Sequence, residues 1–372
     1  MIVARASAIV LWSGFSGPPA LELFTTYMMR MLIYEERNKL LLVEREVSML
    51  RIIYMGTPQF AVPPLEALIQ GAAPGSVLPQ GYEIVTVITR PDKPVGRGQE
   101  IVYSPVKQAA LAHGIPVWQP GSLKRPENIE ALAAYEADLY IVAAFGQILP
   151  QAVLDQPRYG TLNIHASLLP KYRGVSPIPE TILQGDTEAG VTIILLDAGV
   201  DTGPILLKKG MPISEDETTG SLTGKLADLG AQALLEVLPL WVKGEITPEP
   251  QNENLASHTR MLRKEDGEIS WELPAAVLAR KVRAYTPWPG AYSHWRGKLL
   301  KIVSAHAVPM EPGEPVPPGT VSVREEAGHK TLAIMSGSGF LVVKQLQLEG
   351  KKAMSVEEFL RGYPQIIGEV LA

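Results

Sequence analysis

The residues best suited to chemistry are Asn163 and His165, which lie two positions apart at the end of an apolar run starting at Thr161. In a strand, residues with this spacing point to the same face. At the carboxyl end of a strand in an open α/β sheet, they would face the crevice where ligands bind. The amide offers two N–H donors and the imidazole can donate or accept, so the pair could hold a carbonyl oxygen that becomes negative during nucleophilic attack. The alternative is that His165 is a hydrogen-bonded structural residue.

A third candidate is Asp201, which lies between Gly199 and Gly203 in the segment D-A-G-V-D-T-G. The two glycines predict a turn that could present this carboxylate to the same crevice as His165. The triplet D-T-G also occurs in aspartic proteases, but those enzymes pair two equivalent carboxylates. This chain has one D-T-G and alternates predicted strands with helices. We therefore favour a carboxylate that orients the imidazole and stabilises its cation.

The strands and helices that must position these residues are predicted from apolar runs that alternate with helix-like segments along the chain. Short apolar runs predict buried strands at 51–55, 83–89, 137–144, 161–164 and 190–196. Helices are predicted at 63–70, 104–114, 177–185 and 218–241. This order is typical of an α/β fold with a mostly parallel sheet. Of the dinucleotide fingerprint G-x-G-x-x-G only Gly56 is present, so an NAD site is not favoured.

A change in amino-acid composition and hydrophobic pattern near residue 243 predicts a second domain. The polar, proline-containing stretch 243–257 is interpreted as a linker. After it, short apolar runs alternate with glycine and proline clusters, which indicates a small β-barrel or sandwich. Ser355 and Glu358 form a capping-box pattern for a short final helix. The predicted domains are 49–242 and 258–372.

Composition narrows the classes of function. The chain has 372 residues, 20% of them charged, a formal net charge of −5 and no cysteine, which excludes disulfides and thiolate chemistry. With a negative total charge, a nucleic-acid partner requires a local basic patch. Residues 1–48 read as an amino-terminal extension that is not native or is disordered, because Met49 directly precedes the first convincing strand. Their apolar run is too short to span a bilayer.

Two regions are locally basic. The loop R-P-D-K-P-V-G-R-G-Q contains Arg90, Lys93 and Arg97, and its glycines and prolines predict no regular structure. Such cations could grip phosphates, although a solvated surface loop is the alternative. From 258 to 302, nine cations face four acids. Aromatic residues are interleaved with these cations, either as core or as part of a basic binding face; they are Tyr285, Trp288, Tyr292 and Trp295.

Taken together, the motifs resemble one family. The segments R-I-I-Y-M-G-T-P, T-R-P-D-K-P-V-G-R-G, N-I-H-A-S-L-L-P-K-Y-R-G, G-V-T-I-I-L-L-D-A-G-V-D-T-G and G-K-K-A-M-S look like those of the methionyl-tRNA formyltransferases. The resemblance covers Met49 to the carboxyl terminus. The S-L-L-P-x-x-R-G motif marks only the wider formyltetrahydrofolate-using superfamily. The basic loop and the second domain indicate the tRNA-modifying family.

The resemblance implies a cytoplasmic enzyme with a Rossmann-like, mostly parallel sheet and a carboxyl-terminal OB-like β-barrel. It would transfer the formyl group of 10-formyltetrahydrofolate to the α-amino group of methionine on initiator Met-tRNA, without a metal. The family's catalytic trio falls on Asn163, His165 and Asp201. Its folate contacts fall on Ser167, Leu168, Leu169 and Pro170, with Phe145, Gly146 and Leu149 in a pterin wall. Its tRNA contacts fall on Lys93, Arg97 and Arg173. A monomer without membrane association is expected.

The chain departs from the family pattern at two places. Gln99 and Glu100 follow G-R-G where basic residues are usual, which weakens the charge of the loop. Val175-Ser176-Pro177-Ile178-Pro179 replaces A-A-P-I-Q, so Pro179 could change the start of the next helix. The alternatives are a formyltransferase acting on a small amine, such as an amino sugar nucleotide or a purine precursor, and a catalytically silent tRNA- or folate-binding protein.

Overall fold

The computed structural model describes residues 49–95, 100–310, 316–326 and 328–372. The predictions for the segment 1–48 and for Arg97 fall outside these residues. Among the helices of the described part of the chain, none combines the length and the apolar character needed to cross a membrane.

The amino-terminal part, up to Val242, alternates strands and helices. Its strands are β1 (Leu50–Gly56), β2 (Tyr82–Ile88), β3 (Lys93–Val95), β4 (Glu100–Val102), β5 (Val117–Trp118), β6 (Leu139–Ala143), β7 (Thr161–His165), β8 (Arg173–Gly174), β9 (Glu188–Leu195) and β10 (Ile205–Pro212). Its helices are α1 (Val62–Gly71), α2 (Pro105–Ala112), α3 (Pro126–Ala133), α4 (Gln151–Leu154), α5 (Pro177–Gln184) and α6 (Thr219–Val242).

Seven of these strands form one sheet in the order β10-β9-β7-β6-β1-β2-β5. The five strands from β7 to β5 are parallel, and β9 and β10 complete the edge in antiparallel orientation. The prediction of a mostly parallel α/β sheet is thus confirmed. The chain moves outward from β1 to β2 and β5 and then returns to β6 and β7. The order therefore reverses between β1 and β6, and the crevice at their carboxyl ends is where such sheets bind ligands.

Both faces of the sheet are buried, which explains why its central strands read as continuous apolar runs. On β1, Ile52 and Tyr54 belong to one hydrophobic cluster while Ile53 and Met55 belong to another, and all four are fully buried. Helix α6 covers the first face with a row of buried leucines that includes Leu226. A rigid core therefore lies directly beneath the crevice.

The basic loop differs from its prediction. Residues 93–95 and 100–102 pair as the antiparallel strands β3 and β4, whereas the glycines and prolines predicted no regular structure. Pro94 is tolerated because in a two-stranded ribbon its missing N–H can face away from the partner strand. Lys93 is exposed on this hairpin.

The carboxyl-terminal part is an antiparallel β domain. Strand β11 (His258–Thr259) precedes this domain and pairs in parallel with β8. The strands of the domain are β12 (Ala291–Trp295), β13 (Lys298–Val308), β14 (Val321–Glu326), β15 (His329–Met335), β16 (Phe340–Leu348) and β17 (Met354–Ser355), and its helices are α7 (Ala275–Ala284) and α8 (Val356–Gly362). The order β12-β13-β16-β15-β14, with β17 beside β16, leaves β12 and β14 as edges. The barrel is therefore confirmed only as an antiparallel sheet.

The last residues of the chain bond to both of these edges. The His294 amide on β12 donates to the Ala372 carbonyl at 3.0 Å, and the Val321 amide on β14 donates to the Glu369 carbonyl at 2.9 Å. Among the interleaved aromatics of this domain, Trp295 is 5% exposed and belongs to the core, whereas Trp288 is 55% exposed. The aromatic run is therefore divided between core and surface.

Candidate active site

Strand β7 supplies the amide and the imidazole. It lies between β6 and β9 with every residue buried. Asn163 is 8% exposed and His165 is 5% exposed. Because the two residues alternate with buried leucine and isoleucine, both face the same side of the sheet. The strand therefore fixes their spacing, as the sequence predicted.

The Asp201 carboxylate reaches both residues from the loop between β9 and β10. Its Oδ1 accepts a hydrogen bond from Asn163 Nδ2 at 3.3 Å, and its Oδ2 lies 3.5 Å from His165 Nδ1. The Gly174 amide donates to the same Oδ2 at 2.8 Å. Asp201 has a backbone φ of +54°, a left-handed conformation that non-glycine residues seldom adopt. The structure thus brings the three candidate residues together.

The other side of the His165 ring meets the backbone of Tyr172. His165 Nε2 lies 3.0 Å from the Tyr172 carbonyl oxygen, which can only accept, so Nε2 carries a hydrogen. Both ring nitrogens therefore face acceptors, and Asp201 is placed to stabilise positive charge on the ring. Tyr172 is held by its hydroxyl, which donates to Asp186 Oδ2 at 2.8 Å. Burial and then this hydrogen bond raise the pKa of the Tyr172 hydroxyl.

The segment predicted to contact folate forms a tight turn above β7. Ser167 Oγ donates to the Lys171 carbonyl at 2.6 Å, and the Leu169 amide donates to Thr192 Oγ1 at 3.1 Å. Leu169 and Pro170 are buried, whereas Leu168 is partly exposed. Leu168 and the backbone of the turn are thus what a ligand would meet.

The predicted pterin wall lies at the carboxyl end of β6. Phe145 is 1% exposed and Leu149 is 7% exposed, so both side chains belong to the core. Gly146 and Ile148 are exposed, the latter at 63%. Thr57, after β1, donates its hydroxyl to the Phe145 carbonyl at 3.1 Å. This bond joins the ends of the two strands between which the sheet order reverses.

Of the three residues predicted to contact tRNA, one is exposed, one is buried and one lies outside the described residues. Lys93 is exposed on β3, while Arg97 lies outside the described residues. Arg173 is buried, with only 2% of its side chain exposed. Its guanidinium donates to Glu253 Oε1 at 2.7 Å and Oε2 at 2.9 Å, and this hydrogen bonding raises the pKa of Arg173. A phosphate contact by Arg173 does not fit this burial, because its donors are already committed inside the protein.

Sequence reasoning missed the contribution of the predicted linker. Gln251 bonds to Arg173 and to the backbone on both sides of Thr202. Ser257 Oγ accepts from the Tyr172 amide at 2.9 Å. Thr259 Oγ1 accepts from the Ser176 amide at 3.0 Å. These partners are 48 to 85 positions apart in the chain, and no local pattern signals such contacts.

Within the ranges that the structure describes, no group of three or more His, Cys, Asp or Glu side chains is arranged to hold a metal ion.

Comparison with protein families gives two matches in chain order. Residues 50–238 match the family described as Formyl transferase. Residues 261–364 match the family described as Formyl transferase, C-terminal domain. The two matches include both the candidate trio and the antiparallel β domain.

Curated relatives match over nearly their whole length. The methionyl-tRNA formyltransferase of Citrifermentans bemidjiense is 45% identical over 314 residues, 84% of this chain and 94% of the relative. That of Chloroflexus aggregans is 46% identical over 313 residues, 84% of this chain and 97% of the relative. Among solved structures, WlaRD, a sugar 3N-formyl transferase crystallised in the presence of dTDP and 5-N-formyl-THF, has a TM-score of 0.57 at 20% identity, covering 82% of this chain and 99% of that one. At this identity the likeness concerns the fold alone.

Proposed function

Because the chain belongs to the methionyl-tRNA formyltransferase family, we propose that Asn163, His165 and Asp201 perform its reaction. The enzyme transfers a formyl group from a folate donor to the amino group of methionine on Met-tRNA. The donor is 10-formyltetrahydrofolate and the acceptor is the initiator Met-tRNA. The observation that carries this assignment is the Asp201 carboxylate within 3.3 Å of Asn163 Nδ2 and 3.5 Å of His165 Nδ1.

The first step is attack of the uncharged methionyl amine on the formyl carbon. A C–N bond forms and the formyl oxygen becomes an oxyanion. One hydrogen of the Asn163 amide is directed at Asp201, and the second is left to donate to this oxyanion, since a primary amide has two. Such a donor stabilises the transition state more than the substrate.

The second step breaks the bond between the formyl carbon and N10 of the folate. The amine must lose a proton and N10 must gain one, and His165 moves this proton between them. The substrate amine replaces the Tyr172 carbonyl as the partner of His165 Nε2. The hydrogen of the neutral ring then lies on Nδ1, directed at Asp201, and the lone pair of Nε2 accepts the proton of the amine. Asp201 holds the ring by Nδ1 and stabilises the imidazolium that forms in between. Atoms and charge balance without a covalent enzyme intermediate.

The donor and the acceptor approach from different parts of the molecule. The folate lies along the turn Ser167–Pro170 and the exposed Gly146 of the wall. The tRNA is gripped by the hairpin that carries Lys93 and by the antiparallel β domain. We further propose that the enzyme acts as a monomer in the cytoplasm, where its charged tRNA substrate is formed.

The test is formyl transfer from 10-formyltetrahydrofolate to charged initiator Met-tRNA by the full chain, His165→Ala and His113→Ala. His113 is an exposed residue at the end of α2 and serves as the matched control. We expect full activity in the control and a loss of at least about 100-fold in His165→Ala. An enzyme that formylates an amino sugar nucleotide but not the tRNA would refute the acceptor assignment.

Salt dependence tests the acceptor independently. If tRNA phosphates contact lysine and arginine side chains, KM for tRNA rises steeply between about 50 and about 200 mM salt. The reason is that the free energy gained by releasing counterions from the tRNA becomes smaller as the salt concentration rises. KM for the folate, which makes few such contacts, changes little. Equal salt dependence for both substrates would contradict a phosphate-gripping surface.

A further inference from the structure

Gln251 uses the whole hydrogen-bonding capacity of its side chain between Arg173 and the loop that carries Asp201. Its Nε2 donates to the carbonyl oxygens of Asp201 and Gly203, each at 2.8 Å. Its Oε1 accepts from Arg173 Nε at 3.0 Å and Nη2 at 2.9 Å. A primary amide has two donated hydrogens and two acceptor lone pairs, and all four are satisfied. The partners also fix which amide atom is nitrogen, since carbonyls only accept and guanidinium only donates.

The two carbonyls belong to the turn whose conformation aims the Asp201 carboxylate. Asp201 has the unusual φ of +54°, a conformation that persists only where neighbouring structure holds it. Gln251 is hydrogen-bonded to the backbone of this turn on both sides of Thr202. The carboxylate itself is held by the Gly174 amide, the Asn163 amide and its contact with His165 Nδ1. The bonds from Gln251 hold the backbone on each side of Thr202, whose hydroxyl also donates to Asp197 Oδ1 at 2.6 Å.

The segment 249–259, here called the strap, is itself anchored on both sides of Gln251. Before it, Glu249 and Ile205 exchange backbone hydrogen bonds at 2.8 and 2.9 Å. After it, His258 and Thr259 pair with β8. Glu253, also on the strap, holds the Arg173 guanidinium with two bonds. The strap therefore cannot shift without moving the groups that contact Asp201.

We propose that Gln251 is a positioning residue for Asp201, through which the strap couples the placement of the antiparallel β domain to the catalytic geometry. The proposal rests on the role assigned to Asp201 under the proposed function. The strap joins the formyl transferase part of the chain to the domain assigned to tRNA binding.

The test is a double-mutant cycle of Gln251→Ala and Asp201→Ala, measured as kcat for formyl transfer to Met-tRNA. Gln251→Ala alone is expected to lower kcat by up to about 100-fold, the cost of misplacing a catalytic group by about 1 Å. KM for the folate and for tRNA stays near the unmodified value. In the Asp201→Ala background, Gln251→Ala has no further effect, because the two changes remove the same contribution.

Two further variants separate positioning from a purely structural role. Gln251→Glu keeps the bonds from Arg173 but turns an oxygen toward the two carbonyls, so it is expected not to restore activity. Asn254→Ala removes an exposed amide from the same strap and is expected to leave kcat unchanged. Gln251→Ala should fold, since Glu253 still neutralises Arg173.

The outcomes are distinguishable. If Asp201→Ala retains full activity, the proposed catalytic role of Asp201 fails and the inference with it. If Asp201→Ala is impaired but Gln251→Ala is fully active, only the positioning role fails. Additive losses in the double variant, or an active Gln251→Glu, would likewise overturn the positioning role, because each shows that Gln251 acts independently of the Asp201 backbone.

Discussion

The substitution Asn163→Ala is expected to slow formyl transfer while leaving the fold intact. In the structure one amide hydrogen is engaged by Asp201 at 3.3 Å, and the other is assigned to the developing oxyanion. Loss of one such donor costs about 2.7–4 kcal/mol of transition-state stabilisation, or about 100- to 1,000-fold in kcat. The lost bond to Asp201 is long and its effect on the free energy of unfolding is about 1 kcal/mol.

The isosteric change Asn163→Asp is a sharper version of the same prediction. It places a second carboxylate about 3.3 Å from Asp201 Oδ1, the present separation. At an effective dielectric constant of about 20, two unit charges at this distance repel by about 5 kcal/mol. The pair would relieve this by sharing a proton, and the formyl oxygen would then meet lone pairs. Asn163→Asp is therefore expected to be less active than Asn163→Ala at neutral pH and to recover partly as the pH falls.

The assay is single-turnover formation of formyl-Met-tRNA at saturating folate donor, so that chemistry is separated from product release. Asn128→Ala serves as the control, because its amide, on helix α3, donates at 2.8 Å to the Ser122 carbonyl in the segment before that helix. It loses a comparable hydrogen bond but should keep its rate. A loss below tenfold for Asn163→Ala, or one confined to KM, would refute the oxyanion role.

Three further outcomes are expected. Gly174→Ala should lower both activity and stability, because φ is +103° and a Cβ would approach a backbone carbonyl to 2.8 Å, moving the amide that bonds to Asp201; thermal unfolding and kcat measure this. Gly224→Ala, on an exposed face of α6 with open space around it, should stabilise by about 0.5–1 kcal/mol without affecting kcat. Hydrogen bonding from Arg260 lowers the pKa of Asp266 to about 2, so its stabilisation is present above about pH 4, the unfolded value, and is lost as the pH falls toward 2. Asp266→Asn should therefore reduce the acid sensitivity of the unfolding temperature between about pH 5 and 3.

The features that the sequence predicted correctly are those set by local pattern. The strand that carries Asn163 and His165 follows from its apolar run. The cap of the last helix follows from the spacing of Ser355 and Glu358, and the Ser355 hydroxyl accepts from the Glu358 amide at 3.2 Å. The turn that presents Asp201 was indicated by its flanking glycines. In each case either the residues that interact lie within a few positions of each other in the chain, or the periodicity of the strand or helix decides which face a side chain occupies.

The features that the sequence did not predict depend on distant partners. Strand β10 contains Lys208, Lys209 and Gly210, a composition that does not resemble a buried strand, and it forms because β9 offers a complete antiparallel edge. Arg173 reads as a surface cation, yet it is buried because Glu253, 80 positions away, supplies a matching carboxylate. No spacing rule relates two such residues.

The same long-range contacts bear on how far the catalytic part could function alone. A chain ending at Val242 would retain Asn163, His165 and Asp201 with the strand and turn that carry them. It would lack the carboxylate and amide that satisfy Arg173, the hydroxyl that holds the Tyr172 amide, and the partner strand of β8. The Arg173 guanidinium could regain hydrogen bonds only from water, which requires the loop that bears Tyr172 and Gly174 to open. The Gly174 amide bonds to Asp201 and the Tyr172 carbonyl to His165, so opening that loop would loosen the Asp201–His165 geometry itself. Each residue of the trio can therefore be recognised from the pattern around it in the sequence. The geometry of the trio, however, depends on the segment that leads into the second domain.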